Sequence, residues 1–214
     1  MVPCPTPTGF WLLFDTAIGH CGIAWGLRGI TGVLLPEGTL EETRRRMRKL
    51  HPLLPEGSLQ PRHDSPAVAP VPPLIPVPLG PGVPDFAREA VDRIGDLLQG
   101  QKDDLLDLPL DMSDLPPFHR RVYALVRQTG PGATTTYGEV ATLLGEPAAA
   151  RAVGQALAKN PFAPVVPCHR VLAAGRSPLD YCSGGFSAGG GVLTKLRILQ
   201  IEGARLSRAP GLFD

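Results

Sequence analysis

The chain has 214 residues, 43% of them hydrophobic and 19% charged, with a formal net charge of +1. That length allows one large domain or two small ones, and the composition can bury an ordinary core, which excludes a chain disordered throughout. Four cysteines (Cys4, Cys21, Cys168, Cys182) with no CxxC pair exclude a dense disulfide framework.

The N-terminus lacks a basic segment followed by a long apolar one, and the apolar run at residues 10–14 is too short to span a bilayer. The expectation is a cytoplasmic, membrane-free protein of a reducing compartment, where a lone thiol persists. The charge is unevenly spread. Residues 1–112 carry ten Lys/Arg against fourteen Asp/Glu, a balance of −4, and residues 113–208 carry eleven against five, a balance of +6. A basic C-terminal half is the electrostatic footprint expected of a nucleic-acid surface.

Residues 9–15, 21–26 and 30–35 are short runs rich in β-branched and aromatic side chains, separated by the glycine turns Ile18-Gly19 and Arg28-Gly29. They predict an antiparallel meander. Thr39 followed by Glu42 is a capping box that opens a helix through about Leu50. Its Arg44, Arg45, Arg46, Arg48 and Lys49 read as a solvated face on an acidic domain. Residues 52–84 hold eleven prolines and read as a semi-rigid loop inside the N-terminal domain. Phe86, Ala90, Val91, Ile94, Leu97 and Leu98 give helical spacing over 85–98, and a short strand near 105–110 closes the domain.

A second domain starts near Ser113. Pro117 opens a helix with Phe118, Val122, Leu125 and Val126 on one face. Thr136 and Glu139 form a second capping box, whose helix buries Val140, Leu143 and Leu144 and stops at Gly145. Pro147 opens the next helix, which runs to about Lys159 and ends at Asn160-Pro161. Two capped helices across a tight turn make a helix-turn-helix signature. The second helix is nearly bare, with Ala148, Ala149, Ala150, Ala152, Gly154 and Ala156 beside a single long basic side chain, Arg151. Such a surface fits either close packing or the minor groove, about 6 Å wide, with Arg151 inserted.

A short apolar strand at Val165 and Val166 leads to Pro167-Cys168-His169-Arg170. A thiol attacks as its thiolate, and a neighbouring base is what makes the thiolate available near neutral pH. Cys168 and His169 are therefore the candidate nucleophile and base. The alternatives are a buried structural cysteine and a cysteine hydrolase, though the latter usually draws its Cys and His from distant parts of the chain. Cys4, Cys21, His20 and His51 fit no metal-ligand spacing, and no metal or cofactor is expected.

Thr135-Thr136-Tyr137-Gly138-Glu139, Ala150-Arg151-Ala152-Val153-Gly154, Asn160-Pro161 and Pro167-Cys168-His169-Arg170-Val171, with Phe186-Ser187-Ala188 and a last helix ending Ile201-Glu202-Gly203, together resemble the O6-alkylguanine-DNA alkyltransferases. These are also called methylated-DNA–protein-cysteine methyltransferases. The likeness covers nearly all of 113–204. It implies an α+β fold of two domains, an RNase H-like unit over 1–112 and a winged-helix-like unit over 113–208. It also implies a monomer that binds duplex DNA, flips out O6-alkylguanine, with O4-alkylthymine left open as a second substrate, and takes the alkyl group onto its own cysteine once. Carried over, Cys168 is the acceptor, His169 its base through a water, and Glu202 the orienter of His169. Asn160 braces the site, and Tyr137 contacts the guanine and its phosphate. Arg151 fills the gap left by the flipped base, Thr135 and Gly154 contact DNA, and Phe186, Ser187 and Leu157 wall the alkyl pocket. Residues 176–183 depart from the family as an insertion that duplicates an aromatic–Ser–Gly–Gly pattern at Tyr181 and Ser183. The distance to Glu202 favours Phe186 and Ser187 as the pocket wall. A non-enzymatic damage sensor of the same fold is the competing function; such relatives lack the acceptor cysteine.

Overall fold

The computed structural model describes residues 9–57, 83–174 and 186–204. The insertion at 176–183, with its second pattern at Tyr181, and most of the proline-rich stretch lie outside the described residues, as do Cys4 and Cys182.

Three strands, β1 (Gly9–Thr16), β2 (Gly19–Gly26) and β3 (Gly29–Leu34), form the expected antiparallel meander in the order β1-β2-β3. Thr16 stands opposite Gly19 and Gly26 opposite Gly29, so each hairpin turns on two residues. Gly29 has φ +139°, a conformation only glycine adopts without strain, and a Cβ there would strike the Pro109 carbonyl at 2.5 Å. Both faces of the sheet are covered. Trp11, Leu13 and Ala24 pack on Met47 of helix α1 (Leu40–Leu50), while Leu12, Phe14 and Ile23 join the main core with Ala90 and Ile94 of α2 (Asp85–Leu97). Burial on two faces is why these strands read as apolar runs rather than as strict alternation.

The capping box of α1 is formed, with both Thr39–Glu42 bonds made. Its arginines are solvated and locally paired, Arg44 with Glu41 and Glu56, and Arg48 with Glu56. Both sheet edges are covered. Along β1, Trp11 donates its amide to Pro55 and accepts from Gly57. Along β3, Ile30 donates to Pro109 and accepts from Asp111, and Val33 donates to Pro161 at 2.7 Å.

The strand expected at 105–110 is absent; Leu110 makes only an isolated bridge to Ile30. Two arginines claim the segment. Arg93 pairs with Asp103 and Asp107, and Arg127 donates to the carbonyls of Leu105, Leu106 and Leu108. With its acceptors spent on a guanidinium and Leu105 at φ 55°, the segment curls instead of extending. The strand expected at Val165 and Val166 is likewise a buried turn, closed by Val166 N–H donating to the Phe162 carbonyl at 2.9 Å.

Helices α3 (Pro117–Val126), α4 (Tyr137–Leu143) and α5 (Ala150–Ala158) pack on one another, and the Tyr123 hydroxyl ties α3 to α5 through the Ala156 carbonyl at 2.7 Å. The second capping box is also formed, at Thr136 and Glu139. Leu143, expected in the core, is 70% exposed. The buried stripe of α4 is centred on Val140 and Ala141, with Leu144 partly covered beside it, and position 143 falls off its edge. Pro147 opens a 3₁₀ turn (Pro147–Ala149) rather than α5 itself, which starts at Ala150. A two-residue parallel ladder joins β4 (Thr135–Thr136) to β5 (Val171–Leu172), and α6 (Val192–Ile201) completes the fold. One buried cluster runs continuously from Leu12 through Ile94 and Val122 to Ile198. Among the described residues no helix is long and apolar enough to cross a membrane.

Candidate functional site

The β4–β5 ladder explains how distant motifs meet. Thr135 pairs in parallel with Val171 and Thr136 with Leu172, so α4 starts at Tyr137 alongside Ala173, while the 3₁₀ turn Cys168–Arg170 leads into the other end of β5; Tyr137 is still close enough to feel the charge of Cys168. Cys168 is buried and unoxidised. Asn160, just past the end of α5, donates from Nδ2 to Cys168 Sγ at 3.2 Å and to the Val166 carbonyl at 2.7 Å, and its Oδ1 accepts the Phe162 amide at 3.0 Å. Burial pushes the Cys168 thiol up from its ordinary value. The Asn160 hydrogen bond and the nearby Lys195 charge pull it back.

His169 is fully buried and pairs with Glu202, Nε2 to Oε1 at 2.9 Å. A carboxylate can only accept, so Nε2 carries the proton and Nδ1 presents its lone pair. Among the described residues Nδ1 has no hydrogen-bond partner. Burial pulls the His169 pKa down, partly offset by Glu202, so the ring rests neutral and able to take a proton. For Glu202 burial alone would raise the pKa; the hydrogen bonds from His169 and Arg170 outweigh it and hold the carboxyl at about 2.

Two residues that sequence reasoning missed complete this network. Arg170 grips Glu202 through Nη2 at 2.7 Å and Nε at 3.0 Å, and its Nη1 donates to the Thr129 carbonyl at 2.5 Å. Lys195 is 1% exposed and donates to the Val171 carbonyl at 2.7 Å, tying α6 to β5. Arg170 lay inside a motif already singled out. Lys195 carried no local signal, since a lysine on a helix defaults to the surface.

A cleft of about 950 Å³ is lined by Tyr137, Arg151, Gly154, Ala173, Phe186 and Ser187 among others. Arg151 is exposed and makes no ion pair or hydrogen bond among the described residues. The Tyr137 ring packs over Gly154, where a Cβ would sit 3.8 Å from ring carbons. Burial, and then the charge of Cys168, raise the Tyr137 phenol above its usual pKa, which keeps it a proton donor. Cys168, His169, Asn160 and Glu202 are not among its lining residues, nor are Leu157 and Thr135, which were expected to touch substrate or DNA. Leu157 is 4% exposed and belongs to the core, because its side of α5 faces inward with Val153. Thr135 donates its hydroxyl to Glu139 at 3.0 Å and serves the cap of α4. Cys21 is also buried, and its thiol, bonded to Thr16, is pushed up to about 12 by burial.

Residues 117–204 match the family model described as 6-O-methylguanine DNA methyltransferase, DNA binding domain. The chain is 37% identical over 125 residues to a methylated-DNA–protein-cysteine methyltransferase of Mycobacterium tuberculosis, covering 58% of this chain and 70% of the relative. It is 42% identical over 117 residues to a DNA base-flipping protein of Thermus thermophilus, covering 55% and 71%. Among solved structures, Mycobacterium tuberculosis OGT in complex with DNA superposes with a TM-score of 0.61 at 29% identity, covering 96% of this chain and 99% of that one.

Proposed function

The chain belongs to the methylated-DNA–protein-cysteine methyltransferases, and from that membership we propose that Cys168 accepts the alkyl group of an O6-alkylguanine flipped out of duplex DNA. The observation that carries this reading is the buried relay beside the thiol, in which Asn160 donates to Sγ and a Glu202-oriented His169 keeps Nδ1 free. A protein that only recognises damage has no need of a thiol so equipped, which favours transfer over sensing.

The chemistry follows from these positions. Cys168 gives its thiol proton to His169 Nδ1 through a water. The sulfur then attacks the alkyl carbon in line as the carbon–O6 bond breaks. Guanine leaves with the bond's electron pair and takes a proton from Tyr137, which the imidazolium ultimately replaces. One S–C bond forms, one C–O bond breaks, and the protein ends as a thioether. Orientation supplies much of the rate, since a reacting pair held at about 3–3.5 Å in line needs no further ordering. A thioether is a poor leaving group, so each molecule reacts once.

Flipping costs a few kcal/mol of unstacking, less for a lesion with weakened pairing. In this reading Arg151, exposed on the cleft and without an ion pair or hydrogen bond among the described residues, fills the vacated stack, and the small residues of α5 let the duplex approach. We read residues 113–208 as a winged-helix-like unit and 1–112 as an RNase H-like one, supported by the packing of α3, α4 and α5 on one hand and of the meander with α1 and α2 on the other.

Incubation with duplex DNA carrying O6-methylguanine should add about +14 Da to the intact protein, one methyl replacing one hydrogen, located at Cys168. A protein that binds this DNA and gains no mass overturns the reading. Arg151→Ala separates flipping from chemistry. Repair in duplex should slow by at least about tenfold, while attack on free O6-benzylguanine changes less than about twofold, since the free base needs no flipping. Single-turnover rates on the two substrates measure this, and equal losses would move Arg151 into structure or catalysis.

A further inference from the structure

The turn beside the acceptor thiol is held by a strand far away in the sequence. Val33 lies on the edge strand β3, opposite Ile23 of β2. Its amide points away from β2 and donates to the Pro161 carbonyl at 2.7 Å, and Val33 also bridges Phe162. The residue before Pro161 is Asn160, whose Nδ2 lies on Cys168 Sγ at 3.2 Å. One backbone bond and one side-chain bond therefore connect the N-terminal sheet to the nucleophile. Packing alone does not fix the turn between them. It borders a cavity of about 440 Å³ lined by Gly32, Val33, His51, Asn160, Pro161 and Ser187, among others. The other wall of the site rests on the same strand's exit. A Cβ on Gly189 would lie 2.4 Å from both Glu37 Cα and the Pro36 carbonyl, so the stretch that carries Phe186 and Ser187 sits directly on residues 36 and 37.

We propose that Val33 is a positioning residue for alkyl transfer: its amide holds the Asn160–Pro161 turn so that Asn160 stays on the sulfur of Cys168. The N-terminal meander is thus a working part of the acceptor site as well as a scaffold. This rests on the reading of Cys168 as the acceptor. A donor on sulfur favours the thiolate, so freeing the turn weakens that donor and makes the thiol less acidic. The charged and titratable groups around the thiol are His169, Arg170, Lys195 and Glu202, with the phenols of Tyr123 and Tyr137 from α3 and α4. None of them is altered by a change at Val33.

The edge position allows a clean test. Val33→Pro removes only the outward amide, leaves the β2 ladder in place, and follows Gly32, which tolerates a proline after it. Val33→Ala keeps the amide and loses side-chain volume, so it is the packing control. Replacing the Val33 amide by an ester keeps the isopropyl group, and serves if the proline variant does not fold. The readout is the pH dependence of iodoacetamide alkylation on the Cys168 peptide, together with the rate of transfer from O6-benzylguanine. In Val33→Pro or the ester, the alkylation midpoint should move to higher pH and transfer should slow by about tenfold, while Val33→Ala leaves the midpoint in place. Asn160→Ala should slow transfer similarly, and the double variant should be no slower than Asn160→Ala alone, because both act through one contact. Multiplied losses, or an unmoved midpoint in a folded ester variant, overturn the proposal. Failure of the wild-type protein to take a methyl group from DNA would instead overturn the acceptor assignment, which the alkylation profile does not depend on.

Discussion

Cys168→Ser should abolish methyl transfer while leaving DNA binding intact. The hydroxyl that replaces the thiol is smaller, harder and far less acidic, and neutral His169 is too weak a base to make an alkoxide of it. Sulfur's advantage at a saturated carbon is its polarisable lone pair, which no rearrangement of the site restores. The expected transfer rate falls by more than about 1,000-fold, with no mass adduct at any lesion concentration. The affinity for lesion DNA should change by less than about twofold, since in the proposed reading a flipped base and its phosphates are held by Arg151, Tyr137 and the basic face. Burial favours this outcome, because Cys168 is 6% exposed and serine fits its space. Single-turnover chemistry by mass and binding by fluorescence anisotropy measure the two halves. Residual transfer in the serine variant would place the acceptor elsewhere.

Glu202→Gln should be the most damaging change that keeps the cysteine. Glu202 accepts from His169, Arg170 and the Gly132 amide at once. An amide in its place neutralises no charge and directs an NH₂ toward groups that are themselves donors. Arg170 is then a buried guanidinium without its anion, and losing one partner of a buried pair destabilises by about 3–5 kcal/mol. His169 loses the contact that fixes its tautomer, so transfer should also slow by at least about 100-fold, measured at a temperature where the variant is folded. The acid dependence gives an independent reading. The folded-state pKa of Glu202, about 2, lies below its ordinary value of 4.5. Its contribution to stability is therefore complete above about pH 4.5 and is lost as the pH falls through about 2. On the linkage relation that contribution is on the order of 3 kcal/mol. Urea melts from pH 5 downward should show this slope flattened in Glu202→Gln. A residual slope should remain from Asp103 and Asp107, whose carboxyls are held low chiefly by Arg93. An unchanged slope would mean that Glu202 does not carry the charge assigned to it.

What the sequence disclosed is what local chemistry controls. Both capping boxes, Thr39 with Glu42 and Thr136 with Glu139, formed as read, because cap and partner lie three residues apart and need nothing else. The meander was equally legible, its turns marked by glycine. Of the candidate site, Cys168 and His169 were readable from one contiguous motif and Arg151 from its bare helix, while the roles of Asn160, Tyr137 and the distant Glu202 came only through family resemblance. Where the reading failed, a distant group decided. Residues 105–110 look extended until Arg127, across the fold, takes their carbonyls. Leu143 and Leu157 are both leucines on amphipathic helices, and only the packing of α4 and α5 sends one to solvent and the other to the core. Arg170 and Lys195 are charged residues buried by partners far along the chain, a fact no window of sequence contains.

The coverage of the β3 edge bears on how the chain is made. During synthesis the meander leaves the ribosome long before the turn that pairs with Val33, because Pro161 follows it by well over a hundred residues. At about 5–20 residues per second the nascent chain spends on the order of ten seconds with that part of the edge bare. An open strand edge is a template for pairing with any extended segment nearby, including a neighbouring nascent copy. The hazard is greatest on crowded polysomes and ends when the Asn160–Pro161 turn docks. Truncations that stop short of residue 161 should accordingly be prone to self-association even where the meander itself has folded.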